Sequence, residues 1–344
     1  PDSCRDLCTA FIERGMSMAK GAKLVSMITA SSWMFISSFE SFRKKLLSRA
    51  RITSMIQQST HGFPYVTVPT TMFVLQLDSQ NTTGCYIRLE DFDRPQWQKP
   101  KALEAVRNPD CGWFHRADAS TFHDIPGSPI AYWASEAMHE AFRNGTPMRS
   151  EFDAVVKGTF TGDNNRFLRL WHEVGFGSFG SKWMPYAKGG AFRRWSGNLE
   201  YVINWGNNAQ ELKSFPGSGL SPSKYFDRRL FCWSKISSSI ASFRFYAAGT
   251  FFDDASPAFV IGTHDELRQA RLAFLNSSCA QSMLTLIAPT LNYQAGDMAL
   301  LPYIASSPSI SEHIESLTDS NIDLSKADWD SQETSWDFKR NPLI

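Results

Sequence analysis

Apolar side chains recur at regular spacing along the first ninety residues of the chain. Residues 4–20 carry them at roughly helical spacing ahead of Gly21, which predicts an amphipathic helix. A second stripe, which Ser37 or Ser38 can cap, predicts another helix with the apolar residues Phe39, Phe42, Leu46 and Leu47. Short apolar runs predict strands at 23–29, 52–57, 70–77 and 85–89.

The order of these elements predicts the fold class of residues 1–90. A helix–strand–helix–strand series followed by a hairpin is typical of the second half of a doubly wound α/β sheet. No glycine-rich turn between a strand and a helix occurs before residue 21. The chain is therefore expected to lack a cofactor cradle of that kind.

The remaining residues change character several times. Residues 91–150 are rich in Pro, Asp and Arg and are predicted to be a linker with one interdomain helix near 130–143. Residues 151–305 are rich in Trp, Phe, Gly and Ser and are predicted to form a separate α+β domain. Its predicted elements are strands at 200–205, 242–246 and 250–252 and a long helix at 268–287. Residues 306–344 are predicted to be an acidic tail that leads to a further C-terminal region.

Charge is balanced over the chain but unevenly distributed along it. The 35 Lys and Arg residues against 34 Asp and Glu exclude a basic excess of the whole chain. Residues 151–250 nevertheless hold 13 basic residues against 7 acidic ones, whereas residues 301–344 hold 3 against 8. Basic side chains among aromatic and amide residues suit nucleic-acid binding. The alternative is a solvated basic face over an aromatic core.

Several function classes find no support in the residue pattern. The six cysteines form no Cys-x-x-Cys pair and the seven histidines show no ligand spacing, so neither a zinc site nor a disulfide framework is expected. Reduced thiols in a cytoplasmic protein are the simple interpretation. No apolar run approaches the ~18 residues that span a bilayer. Asp253 and Asp254 are adjacent, and adjacent residues in a strand point in opposite directions, which disfavours a catalytic dyad.

Two groups of residues could contact nucleic acid. Gly189 and Gly190 stand beside Lys188, Arg193 and Arg194, so backbone flexibility lies next to three cations, which suits approach to a phosphate backbone. The amides of Asn276 and of residues 289–294 could read adenine edges, although turn formation is the alternative for each of them.

Many short motifs occur in the order in which one known family has them. One is Pro126-Gly127-Ser128-Pro129-Ile130-Ala131-Tyr132-Trp133. Others lie at 6–15, 27–35, 39–47, 161–169, 183–190, 233–237, 252–255, 289–297 and 328–338. On these motifs the chain resembles, nearly end to end, the PglX family of adenine-specific DNA methyltransferases of BREX phage-defence systems.

The resemblance implies transfer of a methyl group from S-adenosylmethionine to the exocyclic amine of an adenine flipped out of double-stranded DNA. It implies DNA and other BREX proteins as partners, and no membrane. The chain departs from the family in lacking an Asn-Pro-Pro-Tyr or Asp-Pro-Pro-Tyr loop and the glycine motif that binds the methyl donor. It is therefore expected to be an internal piece of a longer enzyme, or a truncated reading frame, that is inactive alone.

The resemblance also suggests site residues. Phe63 lies where related enzymes stack a second aromatic ring on the flipped adenine, with ordinary core packing as its alternative. Residues 1–90 correspond to the C-terminal half of the methyltransferase catalytic domain. Residues 151–305 correspond to the DNA target recognition domain, in which the expected DNA contacts are Arg166, Lys188, Arg193, Arg194 and Lys235.

Two other interpretations remain open from the sequence. One is a free-standing DNA specificity subunit, resembling the specificity modules of type I restriction systems, that works with a separate partner holding the donor site. The other is a decayed remnant without binding function, which predicts poor folding because half a sheet exposes an unpaired edge.

Overall fold

The computed structural model describes residues 6–19, 23–65, 67–79, 82–220, 223–262 and 269–344. The chain divides into two compact units, Pro1–Arg143 and Asn144–Ile344. Both mix helices with strands, so the expected combination of α and β structure is present.

The first unit is built on a five-stranded sheet. Its strands are β1 (Leu24–Ala30), β2 (Ala50–Gln58), β3 (Thr70–Leu77), β4 (Thr83–Leu89) and β5 (Phe114–Asp118), in the order β1-β3-β2-β4-β5. Strand β3 is antiparallel to both β1 and β2, and β2 is parallel to β4. Strands β1, β2 and β4 therefore run in one direction, and their carboxyl ends lie at the same edge of the sheet.

Helices α1 (Leu7–Met18) and α2 (Glu40–Leu47) accompany this sheet, as their apolar stripes predicted. The predicted ends of the first helix, residue 4 and Gly21, lie outside the described residues. Trp33 is fully buried and packs edge to face against Phe42 of α2 and Phe73 of β3, at ring-centroid distances of 5.9 and 5.6 Å. The alternation of buried and half-buried residues along β3 places one face of that strand in this core.

Arg43 of α2 is fully buried and joins α2 to residues 127–128. Its Nε donates to the carbonyl oxygens of Gly127 and Ser128 at 3.0 and 3.1 Å, and its Nη1 donates to those of Trp33 and Ile36. Burial lowers the pKa of Arg43 to about 10, so the guanidinium remains charged at neutral pH. Arg43 thereby anchors residues 127–128 to α2.

Residues 91–150 differ from the predicted linker. They form α3 (Pro95–Arg107), β5 and α4 (Glu136–Asn144), and β5 pairs with β4 as an edge strand of the sheet. Pro95 begins α3 rather than breaking it, because the first turn of a helix needs no backbone N–H from that residue. The helix predicted at 130–143 begins only at Glu136, since Ile130 and Ala131 lie in the buried core.

The described residues of the second unit form two four-stranded sheets and one strand pair. One sheet has the order β13-β9-β10-β8, the other has the order β12-β11-β14-β7, and β6 pairs with β15. The strands are β6 (Thr146–Pro147), β7 (Ala154–Val156), β8 (Leu168–Leu170), β9 (Trp183–Ala187), β10 (Tyr201–Asn204), β11 (Leu230–Trp233), β12 (Phe243–Tyr246), β13 (Phe251–Phe252), β14 (Ala258–Val260) and β15 (Pro302–Tyr303). The helices are α5 (Asn164–Phe167), α6 (Gly206–Ser214), α7 (Gln269–Leu275), α8 (Ser278–Ile287), α9 (Ala295–Met298) and α10 (Pro308–Asp330). The strands predicted at 200–205, 242–246 and 250–252 correspond to β10, β12 and β13.

The long helix predicted at 268–287 is two helices, α7 and α8, and its first residue, Arg268, lies outside the described residues. Buried Asn276 ends α7, because its side-chain amide exchanges hydrogen bonds of 3.0 Å with both the N–H and the carbonyl of Phe243. Ser277 then caps α8 by accepting from the backbone N–H of Ala280. The amide of Asn276 thus serves a contact with a distant part of the chain rather than the local turn that the sequence suggested, and both of its polar atoms are already hydrogen-bonded.

The acidic segment from 306 onward is largely helical. Helix α10 spans 23 residues, and Ser325 on it donates hydrogen bonds to the carbonyl oxygens of Arg194 and Ser196 at 3.0 and 3.1 Å. Trp171 donates through its ring N–H to the carbonyl of Thr334 at 2.9 Å. These contacts make the end of the chain part of the second unit.

Candidate nucleic-acid interface

Two of the predicted DNA contacts, Lys188 and Lys235, approach consecutive aspartates just after β13. The Nζ of Lys188 lies 2.7 Å from Oδ2 of Asp253, and the Nζ of Lys235 lies 2.7 Å from Oδ2 of Asp254. The two carboxylates thus face different lysines, as expected from their adjacency. Tyr186 also donates to Asp253 Oδ2 at 2.8 Å, and burial followed by the charge of Asp253 raises the pKa of Tyr186 well above its usual value.

Arg193 and Arg194 lie against the C-terminal part of the second unit. The Arg193 guanidinium pairs with Asp328, donates to the carbonyl of Ser196 at 3.0 Å and lies 5.1 Å from the ring centre of Trp329. Arg194 lies over Phe192 at 5.5 Å, and its buried Nε has no hydrogen-bond partner among the described residues. The Arg194 guanidinium is therefore held by fewer contacts than that of Arg193.

Arg244 was not predicted from the sequence, yet it organises this region. It is fully buried and donates to the carbonyl of Arg193, to Ser234 Oγ and to Tyr246 Oη at 3.1–3.2 Å. The buried guanidinium does not reach solvent. Its hydrogen bond to the carbonyl of Arg193 therefore holds the backbone at that residue.

Arg166 lies in the short helix α5. Its guanidinium pairs with Glu211 at 2.8 Å and lies 5.4 and 5.3 Å from the ring centres of Phe167 and Phe215. Arg166 and Glu211 are each about half exposed, at 51%. A solvated pair of this kind can exchange a carboxylate for a phosphate with little loss of free energy.

A polar cleft of about 690 Å³ lies beside this pair and was missed in the sequence. We call it the α6 cleft, and its side chains include those of Lys182, Asn204, Asn207, Gln210, Glu211 and Ser214. A smaller cleft of about 400 Å³ extends it past Asn208 and Lys213. The consecutive asparagines after Gly206 were the available signal, because Asn tolerates left-handed backbone better than most residues.

The backbone of this cleft is strained. Asn207, Asn208 and Ala209 have φ angles of 51°, 54° and 56°, in the left-handed region. For L-residues this conformation costs roughly 1–2 kcal/mol each. Ala209 is buried against the core of Phe167, Tyr186 and Leu212, which holds the turn in place and leaves the two asparagines exposed.

Phe63 lies in the first unit, in the loop that follows the carboxyl end of β2, and is half-buried. His61 fixes this loop, because its Nδ1 lies 2.8 Å from Asp93 Oδ2 and its backbone N–H donates to Oδ1 of the same residue. These hydrogen bonds lower the pKa of Asp93. The structure therefore places Phe63 at an edge of the sheet and in a different unit from the five cations.

A hydrogen-bonded network lies at the same edge of the sheet. Gln57 at the end of β2 accepts from Tyr132 Oη at 2.8 Å and donates to Glu90 after β4 at 2.7 Å, while Arg88 pairs with Glu90. Burial, and secondarily the charge of Glu90, raises the pKa of Tyr132 well above its usual value. This network joins the end of β2 to the end of β4 and to Tyr132.

Three glycines of the first unit lie against neighbouring atoms of the chain. A Cβ on Gly62 would lie 2.9 Å from Gln58 Cβ and one on Gly84 would overlap the carbonyl of Ile52. A Cβ on Gly15 would lie 3.2 Å from Val25. These glycines serve the packing of the chain itself. No group of three or more His, Cys, Asp or Glu residues in the described part of the chain is arranged to hold a metal ion.

The whole chain aligns with two curated proteins. It is 36% identical over 367 residues to the adenine-specific methyltransferase PglX of Lacticaseibacillus casei (strain Zhang), and 34% identical over 359 residues to the adenine-specific methyltransferase BrxX of Escherichia coli O9:H4 (strain HS). The resemblance to the PglX family is confirmed. The chain spans 30% of the length of that PglX and 28% of that BrxX.

Two further comparisons give a family-model match for part of the chain and a structural match for its fold. Residues 2–63 match the family model of the Eco57I restriction-modification methylase. The type IIL restriction-modification enzyme MmeI, solved in complex with DNA, superposes with a TM-score of 0.60 over 98% of this chain and 46% of its own, at 12% identity. That identity supports a shared fold alone. Among the described residues, no helix has the length and apolar character needed to cross a membrane.

Proposed function

We propose that this chain is part of an S-adenosylmethionine-dependent, adenine-specific DNA methyltransferase of a BREX-type phage-defence system. The observation that carries the proposal is its identity of 34–36% to PglX and BrxX over its whole length. Because it spans about 30% of the length of PglX, the activity is assigned to a longer enzyme. Double-stranded DNA and other BREX proteins are its proposed partners.

The first unit is proposed to supply the second half of the doubly wound catalytic sheet. The parallel direction of β1, β2 and β4, with α2 between β1 and β2 in the chain, supports this assignment. Apolar side chains at the β1 edge and on α1 are exposed, namely Leu7, Phe11, Leu24 and Ile28. We infer that another part of the longer enzyme covers them and holds the methyl donor, which supplies the transferred methyl group.

The second unit is proposed to contain the target recognition domain, at residues 151–305. Its local basic excess and its superposition on an enzyme solved with DNA support this role. Arg166, Lys188, Arg193, Arg194 and Lys235 remain the proposed DNA contacts. Four of them, Arg166, Lys188, Arg193 and Lys235, would exchange a carboxylate for a phosphate on binding, whereas Arg194 has no carboxylate partner among the described residues.

Phe63 is the proposed stacking partner of the flipped adenine. It stands at the carboxyl edge of the parallel strands, where open α/β sheets bind their ligands. The hydrogen bonds of His61 to Asp93 hold the loop around it. Its contribution is to bind and orient the base, so that the exocyclic amine is presented to the methyl donor.

Segment exchange with the PglX of Lacticaseibacillus casei tests this assignment, because the whole chain aligns with that enzyme. Three chimaeras carry residues 1–143, residues 144–344 or the whole chain in place of the matching segment, and methylated adenines in host DNA are sequenced. The proposal expects the 144–344 chimaera to methylate a new sequence and the 1–143 chimaera to keep the parental one. A new target that follows residues 1–143 instead would contradict the division of roles.

A further inference from the structure

The α6 cleft holds polar side chains that make no hydrogen bonds with the described part of the chain. Asn207, Asn208 and Gln210 are exposed, and their amides have no hydrogen-bond partner among the described residues. Two other amides of the second unit are engaged in hydrogen bonds. Asn198 donates to the carbonyl of Ala191 at 2.8 Å, and Asn276 exchanges two hydrogen bonds with Phe243.

Cations flank these amides on both sides. Lys182 lines the main cleft and Lys213 lines its extension, and neither pairs with a carboxylate in the part of the chain that the structure describes. Arg166 reaches the same place through its pair with Glu211. Among the described residues, the surface therefore combines amides without hydrogen-bond partners, two ammonium groups without carboxylate partners and one exchangeable guanidinium. The ammonium of Lys182 lies 5.7 Å from the ring centre of Trp183.

This combination matches the chemistry of a DNA groove. An Asn or Gln amide both donates and accepts, so it can form two hydrogen bonds to the N6 and N7 positions of adenine. Lysine ammonium groups bind phosphates without regard to sequence. A carboxylate such as Glu211 can accept from the amine of cytosine. A small-molecule pocket would instead be mostly apolar, whereas the polar side chains named above dominate this one.

We propose that the α6 cleft reads base edges of the target DNA, with Asn207, Asn208 and Gln210 contacting bases and Lys182 and Lys213 contacting phosphates. The inference rests on the proposed function and deepens it, because it assigns sequence discrimination to residues 204–214. Ala209 and Leu212 anchor this segment in the core, so the amides are presented from a fixed backbone.

Glycine substitutions test the proposal with little effect on the backbone, since glycine accepts a positive φ. The 344-residue chain and its Asn207→Gly/Asn208→Gly variant are each equilibrated with a pool of duplexes that have a randomised core, and the bound fraction is sequenced. We expect discrimination at one or two base pairs to fall by roughly 5- to 150-fold. Affinity for the remaining duplexes, and its dependence on salt, should not change.

Asn198→Gly is the matched control. Asn198 also has a positive φ, of 57°, but its amide is already bonded to Ala191. It should leave the sequence preference unchanged. If the double glycine variant is unfolded by circular dichroism, Asn207→Asp/Asn208→Asp replaces it. That change keeps the shape but removes the donors, so the preferred base pair should change.

Each outcome bears on the inference. A folded double variant that retains the parental sequence preference overturns the inference and leaves the proposed DNA recognition intact. A parent chain that binds all duplexes equally also overturns base reading by the cleft. A folded parent that binds no duplex even at low salt overturns both the inference and the proposed function.

Discussion

The ammonium of Lys188 lies 2.7 Å from the carboxylate of Asp253, whose side chain is only 8% exposed. Three donors converge on this carboxylate, because Tyr186 Oη and the backbone N–H of Ala255 also bond to it, at 2.8 and 2.7 Å. The pair therefore joins the end of β9 to the turn after β13. Lys188, which the sequence predicts to contact DNA, therefore also stabilises the second unit.

Removal of Asp253 should destabilise the chain much more than removal of its neighbour. In Asp253→Ala three donors lose a buried acceptor, so we expect a loss of about 3–5 kcal/mol in the free energy of unfolding. The Asp254 side chain, which pairs with Lys235, is 29% exposed against 8% for Asp253, so Asp254→Ala should cost about 1 kcal/mol or less. Urea denaturation followed by tryptophan fluorescence measures both, and equal losses would contradict this account.

The commitment of each cation should also appear in DNA binding. Arg166 is half exposed and can exchange Glu211 for a phosphate, whereas Lys188 would have to leave a buried carboxylate. For Arg166→Ala we expect the slope of log affinity against log salt to fall by about 0.9. Lys188→Ala should change that slope less and lower stability more.

Fluorescence anisotropy with a labelled duplex at several salt concentrations measures these slopes. Lys326→Ala is the control, because its ammonium pairs with Asp330 and Asp337 on an acidic surface, where DNA is not expected to bind. A larger change of slope for Lys188→Ala than for Arg166→Ala would show that Lys188 exchanges its partner readily.

The thiols should differ in reactivity. Burial raises the pKa of Cys232 to about 12, and burial together with Asp6 raises that of Cys8 to about 12, whereas Cys279 is exposed. Since the thiolate is the reactive form, iodoacetamide at mildly alkaline pH should label Cys279 before Cys8 and leave Cys232 unlabelled until the chain unfolds. Peptide mass spectrometry of the labelled chain gives the order. Early labelling of Cys232 would show that the β11 core opens in the native state.

The spacing of apolar residues predicted those elements whose structure depends mainly on their own residues. The amphipathic stripes of α1 and α2 and the apolar run of β3 fix their own structure, so these elements were found close to their true bounds. The break between α7 and α8 was not found, because it depends on hydrogen bonds between Asn276 and Phe243, 33 residues earlier in the sequence. Strand β5 was missed for a similar reason, since a sequence as polar as Phe114–Asp118 becomes a strand only beside β4.

The candidate site shows the same limit more strongly. Basic residues are visible in a sequence, but their carboxylate partners are not, and Lys188 meets Asp253 across 65 positions. The sequence therefore could not predict which cations lack a carboxylate partner. Lys182 and Lys213 were not among the predicted DNA contacts. The α6 cleft was missed because it needs a left-handed turn, which only its contacts with the core make stable.

The role of Phe63 can be separated from ordinary packing by two substitutions. In the chimaera that carries this whole chain, Phe63→Ala should weaken stacking on a flipped base by roughly 1–3 kcal/mol. A target 2-aminopurine would then report less flipping through its fluorescence. Phe92→Ala is the control, because Phe92 packs edge to face against Trp113 at 5.1 Å and should lower stability alone. If Phe63→Ala behaves like Phe92→Ala, with unaltered fluorescence and a lower melting temperature, then Phe63 belongs to the core and another ring must receive the adenine.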